Sequence, residues 1–494
     1  MKSLNELLKG VASVSNADDV VVTGLTDNSG DLQEGELFLA YPGTTVDRRD
    51  YIHSALQAGA SAIVYEESGC DISNVRASTP IIAVKNLRAF VGLIAANFYS
   101  HASKELSIYA VTGTNGKTSV AHYLAQALSH GHAVGVIGTL GNGLWGKLDV
   151  ASLTTPSAIH LQKTMRDFRV KGARIAVMEA SSHGLAQDRL KAIAVNTAIF
   201  TNLSQDHLDY HRTMENYAAA KRRLFEIEGL ENAVVNVYDE YGAELSRSLP
   251  ANVSLMSYGL QIKEHEYSLS PMIKGVLQKS SVDGVEIAIT SPFGHANLKS
   301  TLFGRFNAEN LLAVLAALVV NEVSLNEAID SLSTVSPVAG RLEKFSSENQ
   351  PCVFVDYAHT PAALESVLNE LHQCCPGKLY VVFGCGGDRD KTKRPLMGEV
   401  AETYADVIVL TDDNPRNENP DDIIASILTG ISNDKSVVVE RDRAKAISYC
   451  LQHAAINDIV LVAGKGHECV QIVGEANIPF SDSECVQQLM AQAA

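Results

Sequence analysis

The chain has 494 residues, 46% of them hydrophobic and 20% charged, and at roughly 150 residues per domain this length predicts about three domains. The formal net charge of -17 disfavours nucleic acid as a partner, because the phosphate backbone carries charge of the same sign. A notable apolar run at residues 311–320 is shorter than the roughly 20 residues of a membrane span, and the N-terminus lacks the apolar core of a signal peptide. We therefore predict a cytoplasmic protein without a membrane span.

Three blocks follow one another along the chain. Residues 1–98 begin with an amphipathic helical pattern and contain turn-prone stretches, such as Pro42-Gly43, but no nucleotide-binding motif. A central block, residues 99–334, ends in a Ser-rich stretch that is typical of a linker. The last block, residues 335–494, has strand and helix patterns of its own. We predict one domain for each block.

Short apolar runs alternate with helical patterns in the central and last blocks. We predict strands at residues 107–111, 175–178, 353–355, 379–383, 407–410 and 459–462. Buried strands that alternate with helices are typical of parallel sheets covered on both faces. Ligands of such folds bind beyond the carboxyl ends of the strands. The Gly, Asp and Glu residues that follow these runs are therefore candidates for chemistry.

The clearest motif lies between the strand at residues 107–111 and a helical run at residues 122–128. Its glycines let backbone N–H groups approach phosphate oxygens, Lys117 can reach the terminal phosphates, and the Thr118 hydroxyl can bind Mg²⁺. The general pattern has Gly where Val111 stands, but the strand-loop-helix context and the intact Gly-Lys-Thr indicate ATP binding. The predicted loop consists of Gly113, Thr114, Asn115, Gly116, Lys117 and Thr118. The predicted class is α/β, with a P-loop parallel-sheet ATPase domain in the centre and a Rossmann-like α/β domain at the C-terminus.

Further stretches resemble the Mur ligase family, as does the loop sequence Gly-Thr-Asn-Gly-Lys-Thr. They are residues 178–185 (MEASSHGL), 200–211 (FTNLSQDHLDYH), 304–307 (GRFN) with Asn310, 340–343 (GRLE) and 355–361 (VDYAHTP). The resemblance covers the central and last blocks and, more weakly, the first. It implies an ATP-dependent amide ligase of peptidoglycan precursor synthesis, in which a carboxylate becomes an acyl-phosphate that an amine attacks.

The resemblance also assigns catalytic and metal-binding residues. It implies that Thr118, Glu179, His207 and Lys221 bind Mg²⁺, with Lys221 carbamylated, and that Lys117, Glu179, His207 and Lys221 act in catalysis. Asn307 and Arg341 join the expected ATP-binding residues. Taken alone, His207 is more typical of a capping or core histidine, and Lys221 of a solvated helix lysine.

One stretch narrows the resemblance within the family. Residues 413–416 (DNPR) resemble the signature of members that add meso-diaminopimelate to UDP-N-acetylmuramoyl-L-alanyl-D-glutamate. Arginines can form paired hydrogen bonds with the carboxylate of such an amino acid, and acidic or amide side chains can accept from its ammonium group. The alternative is a structural Asp-Asn-Pro turn beside a surface arginine. The expected diaminopimelate-binding residues are Arg389, Asp413, Asn414, Pro415, Arg416, Gly464 and Glu468.

The UDP-substrate is expected to contact the first and central blocks. Family members often have Asp-Ser-Arg where this chain has Asn28-Ser29-Gly30, and Asn commonly precedes Thr-Thr where Leu153 stands. Turn and cap chemistry is the alternative role for these residues. The expected contacts are Asp27, Ser29, Thr44, Thr45, Val46, Leu153, Thr154, Thr155, Ser181, Gln187 and Arg189.

Three other functions compete with this interpretation. A ligase adding glutamate to folate would share the phosphate loop but would not need residues 413–416. A regulatory P-loop switch is disfavoured because no Asn-Lys-x-Asp guanine-reading stretch follows the loop. A third alternative, a relative that binds substrates but has lost most of its activity, is disfavoured by the intact Lys117, Glu179, His207 and Lys221.

We predict that the enzyme is a monomer.

Overall fold

A computed structural model describes residues 1–44, 46–72, 75, 77–261, 269–432 and 436–492. The chain forms two compact units. The first comprises Met1–Gly275, Ile289–Ala296 and Asn310–Ser331, and the second comprises Val276–Ala288, Asn297–Glu309 and Leu332–Ala494. No helix in the described part of the chain combines the length and the apolar character needed to cross a membrane.

Most of the strands are short and buried. Those of the first unit are β1 (Lys2–Ser3), β2 (Val21–Val22), β3 (Leu25–Thr26), β4 (Leu37–Ala40), β5 (Ala62–Glu66), β6 (Ile81–Val84), β7 (Ser107–Thr112), β8 (Val134–Gly138), β9 (Gly141–Leu144), β10 (Lys147–Asp149), β11 (Ile175–Glu179), β12 (Thr197–Phe200), β13 (Asn232–Asn236) and β14 (Ser254–Gln261). Three strands contribute to both units: β15 (Ile273–Ser281), β16 (Gly284–Ser291) and β17 (Gly294–Ser300). The second unit contains β18 (Glu343–Phe345), β19 (Cys352–Asp356), β20 (Leu379–Phe383), β21 (Val407–Leu410), β22 (Val437–Val439), β23 (Ile459–Ala463), β24 (Val470–Val473) and β25 (Ala476–Pro479).

The helices lie between the strands along the chain. They are α1 (Leu4–Leu7), α2 (Ile52–Gln57), α3 (Leu87–Phe98), α4 (Lys117–Leu128), α5 (Ala158–Val170), α6 (Ser182–Ala186), α7 (Leu208–His211), α8 (Met214–Arg222), α9 (Glu240–Arg247), α10 (Arg305–Val320), α11 (Leu325–Ser333), α12 (Pro361–Cys374), α13 (Lys393–Tyr404), α14 (Pro420–Leu428), α15 (Arg443–His453) and α16 (Asp482–Gln492).

The large sheet of the first unit places the phosphate loop near its middle. Its order there is β10-β9-β8-β11-β7-β12-β13-β14, parallel from β8 to β14 and antiparallel at β9 and β10. Glu179 pairs with Val111 at the carboxyl ends of β11 and β7. A second sheet of this unit, β3-β4-β5-β6, is parallel throughout. The side chains that follow β7, β11 and β12 therefore meet at one edge.

The sheet of the second unit has the order β18-β19-β23-β20-β21-β22, and all its strands are parallel except β18. Successive residues of β19 alternate between two apolar clusters, because neighbouring side chains on a strand point to opposite faces. Phe354 packs in one cluster, and Val353 and Val355 pack in the other. Helices thus cover both faces, and ligands are left with the carboxyl edge.

The predicted α/β class is confirmed, and the six predicted strands lie within one residue of their expected ends. The helix predicted at residues 122–128 begins earlier, at Lys117. The N-terminal helix spans only Leu4–Leu7 and starts with a capping box between Ser3 and Glu6. Gly10, at a φ of 80°, soon turns the chain away from a helical path.

Candidate active site

The loop between β7 and α4 is held in place by the end of the neighbouring strand β12. The backbone N–H of Thr114 donates to the carbonyl of Asn202 at 2.8 Å, and that of Asn115 donates to the Asn202 side chain at 2.9 Å. The Thr201 hydroxyl donates to the Asn115 carbonyl at 2.6 Å. A Cβ atom at Gly113 would lie 1.9 Å from Thr201 Oγ1, so this close approach requires glycine. The conformation of the loop is therefore fixed by its contacts with the end of β12.

Two lysines meet at the carbonyls of this loop. Lys117 Nζ donates to the carbonyls of Gly113 at 3.0 Å and Thr114 at 2.8 Å. Lys221 Nζ donates to the Gly113 carbonyl at 2.6 Å and lies 4.2 Å from the centroid of the Tyr217 ring. Lys221 is only 1% exposed, and burial, with Lys117 nearby, holds the pKa of its amine well below the ordinary value. The predicted solvated alternative for Lys221 is wrong.

Glu179 ends strand β11, buried beside the first turn of α4. One carboxylate oxygen accepts from the Thr118 hydroxyl at 2.9 Å and from the Thr139 hydroxyl at 3.2 Å. The other accepts from the Thr139 backbone N–H at 2.7 Å. Two of the predicted metal ligands, Thr118 and Glu179, are therefore in direct contact.

His207 stands at the start of α7 with a φ of 53° and lies 3.5 Å from Asp206. Burial lowers the pKa of His207, Asp206 opposes this, and Lys117 and Lys221 lower the pKa further. The neutral imidazole, which is the metal-binding form, is favoured. His183 lies beside it, with 4.8 Å between the ring centroids.

Two oxygen donors at this edge, from Thr118 and Glu179, are of the kind that binds Mg²⁺. Within the described residues, no three His, Cys, Asp or Glu side chains form a group that could hold a metal ion. Protein Mg²⁺ sites commonly use one or two carboxylates and take their remaining oxygens from water and substrate phosphates. The contacting oxygens of Thr118 and Glu179, next to a phosphate loop, fit that chemistry.

Four of the expected UDP-substrate residues of the central block form one hydrogen-bonded group: Thr155, Ser181, Gln187 and Arg189. The Thr155 hydroxyl donates to the Glu179 carbonyl at 2.8 Å and accepts from the Ser181 N–H at 2.9 Å. Arg189 donates to the Thr155 carbonyl and, at 2.7 Å, to Gln187 Oε1. This group is linked through Thr155 to the backbone of Glu179.

Asp27 in the first block is paired with two residues that the sequence analysis did not select. Its carboxylate accepts from the Tyr41 hydroxyl at 2.6 Å and lies 3.2 Å from the Arg48 guanidinium. Arg48 also lies 4.7 Å from the centroid of the Tyr41 ring. Burial lowers the pKa of Arg189, and Tyr41 and Arg88 are close enough to affect it. Tyr41, Arg48 and Arg88 carried no local motif that would have identified them.

The remaining expected UDP-substrate residues are less enclosed. The Thr154 and Thr139 hydroxyls lie 3.1 Å apart, and Ser29 is half-buried. Thr44, Val46 and Leu153 are exposed, and Thr45 lies outside the described residues. These positions make no comparable buried network within the part of the chain that the structure describes.

In the second unit, the residues at 413–416 pack against the loop and hairpin that follow β23. Asn414 Nδ2 donates to Glu468 Oε2 at 2.8 Å. Arg416 has a φ of 50° and donates to the Gly387 carbonyl at 2.8 Å. Pro415, like Asn414, is buried, whereas Arg389 is exposed. The structure thus brings Asn414 and Glu468 together.

Gly464 approaches Asp413 so closely that a side chain would not fit. A Cβ atom at Gly464 would lie 2.7 Å from Asp413 Oδ2, and the glycine φ is 111°. Glycine is therefore required at position 464, where the backbone passes close to the buried carboxylate of Asp413.

The two expected ATP-binding residues of the second unit also have defined surroundings. Asn307 is buried in the first turn of α10 and donates to the Phe303 carbonyl at 2.8 Å. Arg341 lies 4.6 Å from the centroid of the Tyr357 ring. Burial raises the pKa of the neighbouring Asp356, and Arg341 lowers it.

Comparison with known proteins agrees with this geometry along the chain. Family profiles match residues 21–99 (Mur ligase family, catalytic domain), 111–318 (Mur ligase middle domain) and 340–466 (Mur ligase, glutamate ligase domain). The chain is 45% identical, over 485 residues and 98% of each chain, to the Coxiella burnetii protein named UDP-N-acetylmuramoyl-L-alanyl-D-glutamate--2,6-diaminopimelate ligase. The chain belongs to the Mur ligase family. This confirms the predicted enzyme class, because Mur ligases are ATP-dependent amide ligases that form ADP.

Two further Mur ligases support the assignment. A Chromobacterium violaceum protein of the same name is 42% identical over 460 residues, which cover 92% of each chain. A solved structure of a ligase with that name superposes with a TM-score of 0.73 at 33% identity, and the match covers 100% of both chains.

Proposed function

We propose that this Mur ligase joins meso-diaminopimelate to UDP-N-acetylmuramoyl-L-alanyl-D-glutamate and converts ATP to ADP and phosphate. The observation that carries the proposal is the residue 413–416 loop, with its Asn414 held against Glu468 at 2.8 Å. A ligase of folate would have no need of this loop. The names of the relatives at 42% and 45% identity support the same substrates.

The reaction requires that two anions be brought together. A carboxylate does not react with an amine at neutral pH, because its oxygen is a poor leaving group. Transfer of the terminal phosphoryl group of ATP to the carboxylate makes an acyl-phosphate, and attack by the uncharged amine then forms the amide and releases phosphate. Lys117 and the backbone N–H groups at the start of α4 offset the phosphate charge.

Mg²⁺ would be held by Thr118, Glu179, His207 and Lys221, and it would supply further neutralisation of phosphate charge. We propose that Lys221 is carbamylated. The lowered pKa of its buried amine favours the uncharged form, which is the form that combines with CO₂. A carbamate on Lys221 would put a negative charge beside the positive charge of Lys117.

The substrate assignments follow the three blocks 1–98, 99–334 and 335–494. The nucleotide would contact the loop of residues 113–118 with Asn307 and Arg341. Arg389 and Arg416 would bind the remote carboxylate of diaminopimelate, and Asp413 and Glu468 its ammonium group. The UDP-substrate would contact Asp27, Ser29, Thr44, Thr45, Val46, Leu153, Thr154, Thr155, Ser181, Gln187 and Arg189.

We also propose a monomer in the cytoplasm, where both nucleotide substrates would be available. All eight cysteines are free thiols, which is consistent with a reducing compartment.

The test is turnover of the purified chain with ATP, Mg²⁺, the UDP-muramoyl-dipeptide and either meso-diaminopimelate or L-lysine. We expect ADP and a new amide, detected by mass spectrometry, with meso-diaminopimelate strongly preferred. A parallel reaction with folate and glutamate should give no product. Equal turnover with L-lysine would remove the amino-acid assignment, and absence of any amide product would remove the proposal.

A further inference from the structure

Lys465, which the sequence analysis did not select, lies fully buried in the loop between β23 and β24. Its Nζ donates to Asn414 Oδ1 at 3.0 Å, to Glu468 Oε2 at 3.0 Å and to the Val470 carbonyl at 2.6 Å. An ammonium group has three N–H donors, so all of them are used within the protein. Lys465 therefore has no donor left for a ligand.

The same network fixes the orientation of the Asn414 amide. Its Oδ1 accepts from Lys465 and, at 2.9 Å, from the Ile472 backbone N–H, and this turns Nδ2 toward Glu468. Because Lys465 and the Ile472 N–H both donate to this end of the Asn414 amide, the atom there is the oxygen and not the nitrogen. Glu468 Oε2 thus accepts from both Lys465 and Asn414. Within the described residues Glu468 Oε1 makes no hydrogen bond, and 30% of the side chain is exposed.

The network also reaches the loop of residues 413–416 through the backbone. Val470 begins strand β24, and on that strand the Ile472 carbonyl accepts from the Arg416 N–H at 3.0 Å. The Gly474 N–H donates to the Arg416 carbonyl at 2.8 Å. Lys465 therefore links an acceptor for an ammonium group, Glu468, to the strand that holds a donor for a carboxylate, Arg416.

We propose that Lys465 is a positioning residue for the incoming amino acid. Together with Asn414, Lys465 holds the Oε2 atom of Glu468 by hydrogen bonds. The Oε1 atom is then free to accept from the ammonium group of diaminopimelate. The inference rests on the proposed function. Asn414 shares this positioning role, because its Nδ2 donates to the same Oε2 of Glu468.

Charge explains why a lysine occupies this position. A buried carboxylate oxygen is costly unless it is paired and hydrogen-bonded. Asp413, at 8% exposure, is a second carboxylate in the same region. The ammonium of Lys465 offsets negative charge at Glu468 before a ligand arrives and leaves one oxygen available for it.

The primary test compares Lys465→Met with wild type in the complete ligase reaction. We expect the KM for meso-diaminopimelate to rise about tenfold to a hundredfold, the effect of misplacing one charge-assisted hydrogen bond. The KM values for ATP and the UDP-substrate should change less than about threefold, because Lys465 acts through Glu468. The matched control is Lys445→Met, which alters an exposed lysine of α15.

A double-mutant cycle separates positioning from a general structural role. If Lys465 acts through Glu468, adding Lys465→Met to Glu468→Gln should raise the KM for meso-diaminopimelate much less than it does in wild type. Full additivity, or an equal change in all three KM values, would overturn the proposal.

A second cycle applies if Lys465→Met does not fold. Asn414→Ala keeps Lys465 and removes one bond that orients Glu468. It should raise the KM for meso-diaminopimelate in wild type and have little effect in the Glu468→Gln background. An undiminished effect there would mean that Asn414 contacts the ligand itself and would contradict the proposal. A wild-type chain that makes no amide from meso-diaminopimelate would instead contradict the proposed function.

Discussion

Each unit of the molecule contains a lysine that is almost entirely buried, and the two differ in their counter-charges. Lys221 of the first unit is 1% exposed, donates to one carbonyl and lies against the Tyr217 ring. Among the described residues, no carboxylate lies within ion-pair distance of Lys221. Lys465 of the second unit is 0% exposed and has the Glu468 carboxylate at 3.0 Å.

The difference shows that burial alone does not decide what a lysine does. Where a counter-charge is missing, burial favours the uncharged amine, which is reactive. Where a carboxylate and two further acceptors surround the amine, the lysine becomes part of a rigid hydrogen-bond network. The arrangement around Lys221 is compatible with the proposed phosphate site. The arrangement around Lys465 is compatible with a binding pocket whose side chains keep fixed positions.

The largest expected effect is on turnover and comes from Lys221. Lys221→Met should lower kcat about a thousandfold, comparable to the loss of one electrostatic contact to the reacting group. The control is Lys163→Met, an exposed lysine on α5. Initial rates would be measured with all three substrates saturating. A kcat within tenfold of wild type would contradict the catalytic role of Lys221.

Carbamylation of Lys221 has its own test. Wild-type turnover in CO₂-depleted buffer should fall and should recover when bicarbonate is added. Turnover that is independent of CO₂, together with no extra density on the amine at high resolution, would remove the carbamate and leave the buried amine unexplained.

The second effect is on stability and should differ between the two lysines. Lys465→Met should destabilise the protein by about 1–3 kcal/mol, because it removes the three hydrogen bonds of a buried ammonium group and leaves a partly buried carboxylate without its cation. In CO₂-depleted buffer, where the amine is not carbamylated, Lys221→Met should be neutral or stabilising, because it removes a desolvated amine with no carboxylate of a described residue at ion-pair distance. Urea midpoints followed by circular dichroism would compare the variants. Equal losses of stability for both variants would show that the two lysines do not differ in this respect.

Glu370 shows the effect of burial on a carboxyl group, as Lys221 shows it on an amine. Glu370 accepts from the Arg305 N–H at 2.6 Å, and burial raises its pKa from 4.5 to about 7. Between these values the folded chain keeps a proton that the unfolded chain releases, so stability should fall as pH rises from about 4.5 to 7. The fall is at most about 3.5 kcal/mol at roughly 1.4 kcal/mol per pKa unit.

Glu370→Gln should remove most of that pH dependence. Urea midpoints at pH 5 and pH 7.5 would measure it, with Glu365→Gln, an exposed glutamate of the same helix α12, as the control. The same decline in wild type and in Glu370→Gln would show that other groups cause it.

The smallest expected effect concerns Arg416. Arg416→Lys keeps the positive charge but loses the planar pair of donors that matches a carboxylate. The KM for meso-diaminopimelate should rise about tenfold, roughly 1.4 kcal/mol, while the KM for the UDP-substrate stays unchanged. An unchanged KM for the amino acid would remove Arg416 from the pocket.

Much of the fold could be predicted from local patterns. Continuous apolar runs bounded by Gly, Asp or Glu identified six strands, because these signals depend on neighbouring residues, whereas α4 begins at Lys117, five residues before its predicted start. The short α1 was not foreseen, since its end depends on a few residues around Gly10.

The sequence by itself determined the α/β class, the phosphate loop and the family resemblance, each carried by consecutive residues. Only the tertiary structure decided which charges are paired. Lys221 meets the carbonyl of Gly113 across 108 positions, and Lys465 meets Asn414 across 51. Arg48 meets Asp27 across 21 positions. Burial lowers the pKa of Lys221, and hydrogen bonds across the chain hold Lys465 and Arg48 in place, although the counter-charge of Lys465, Glu468, lies only three positions away.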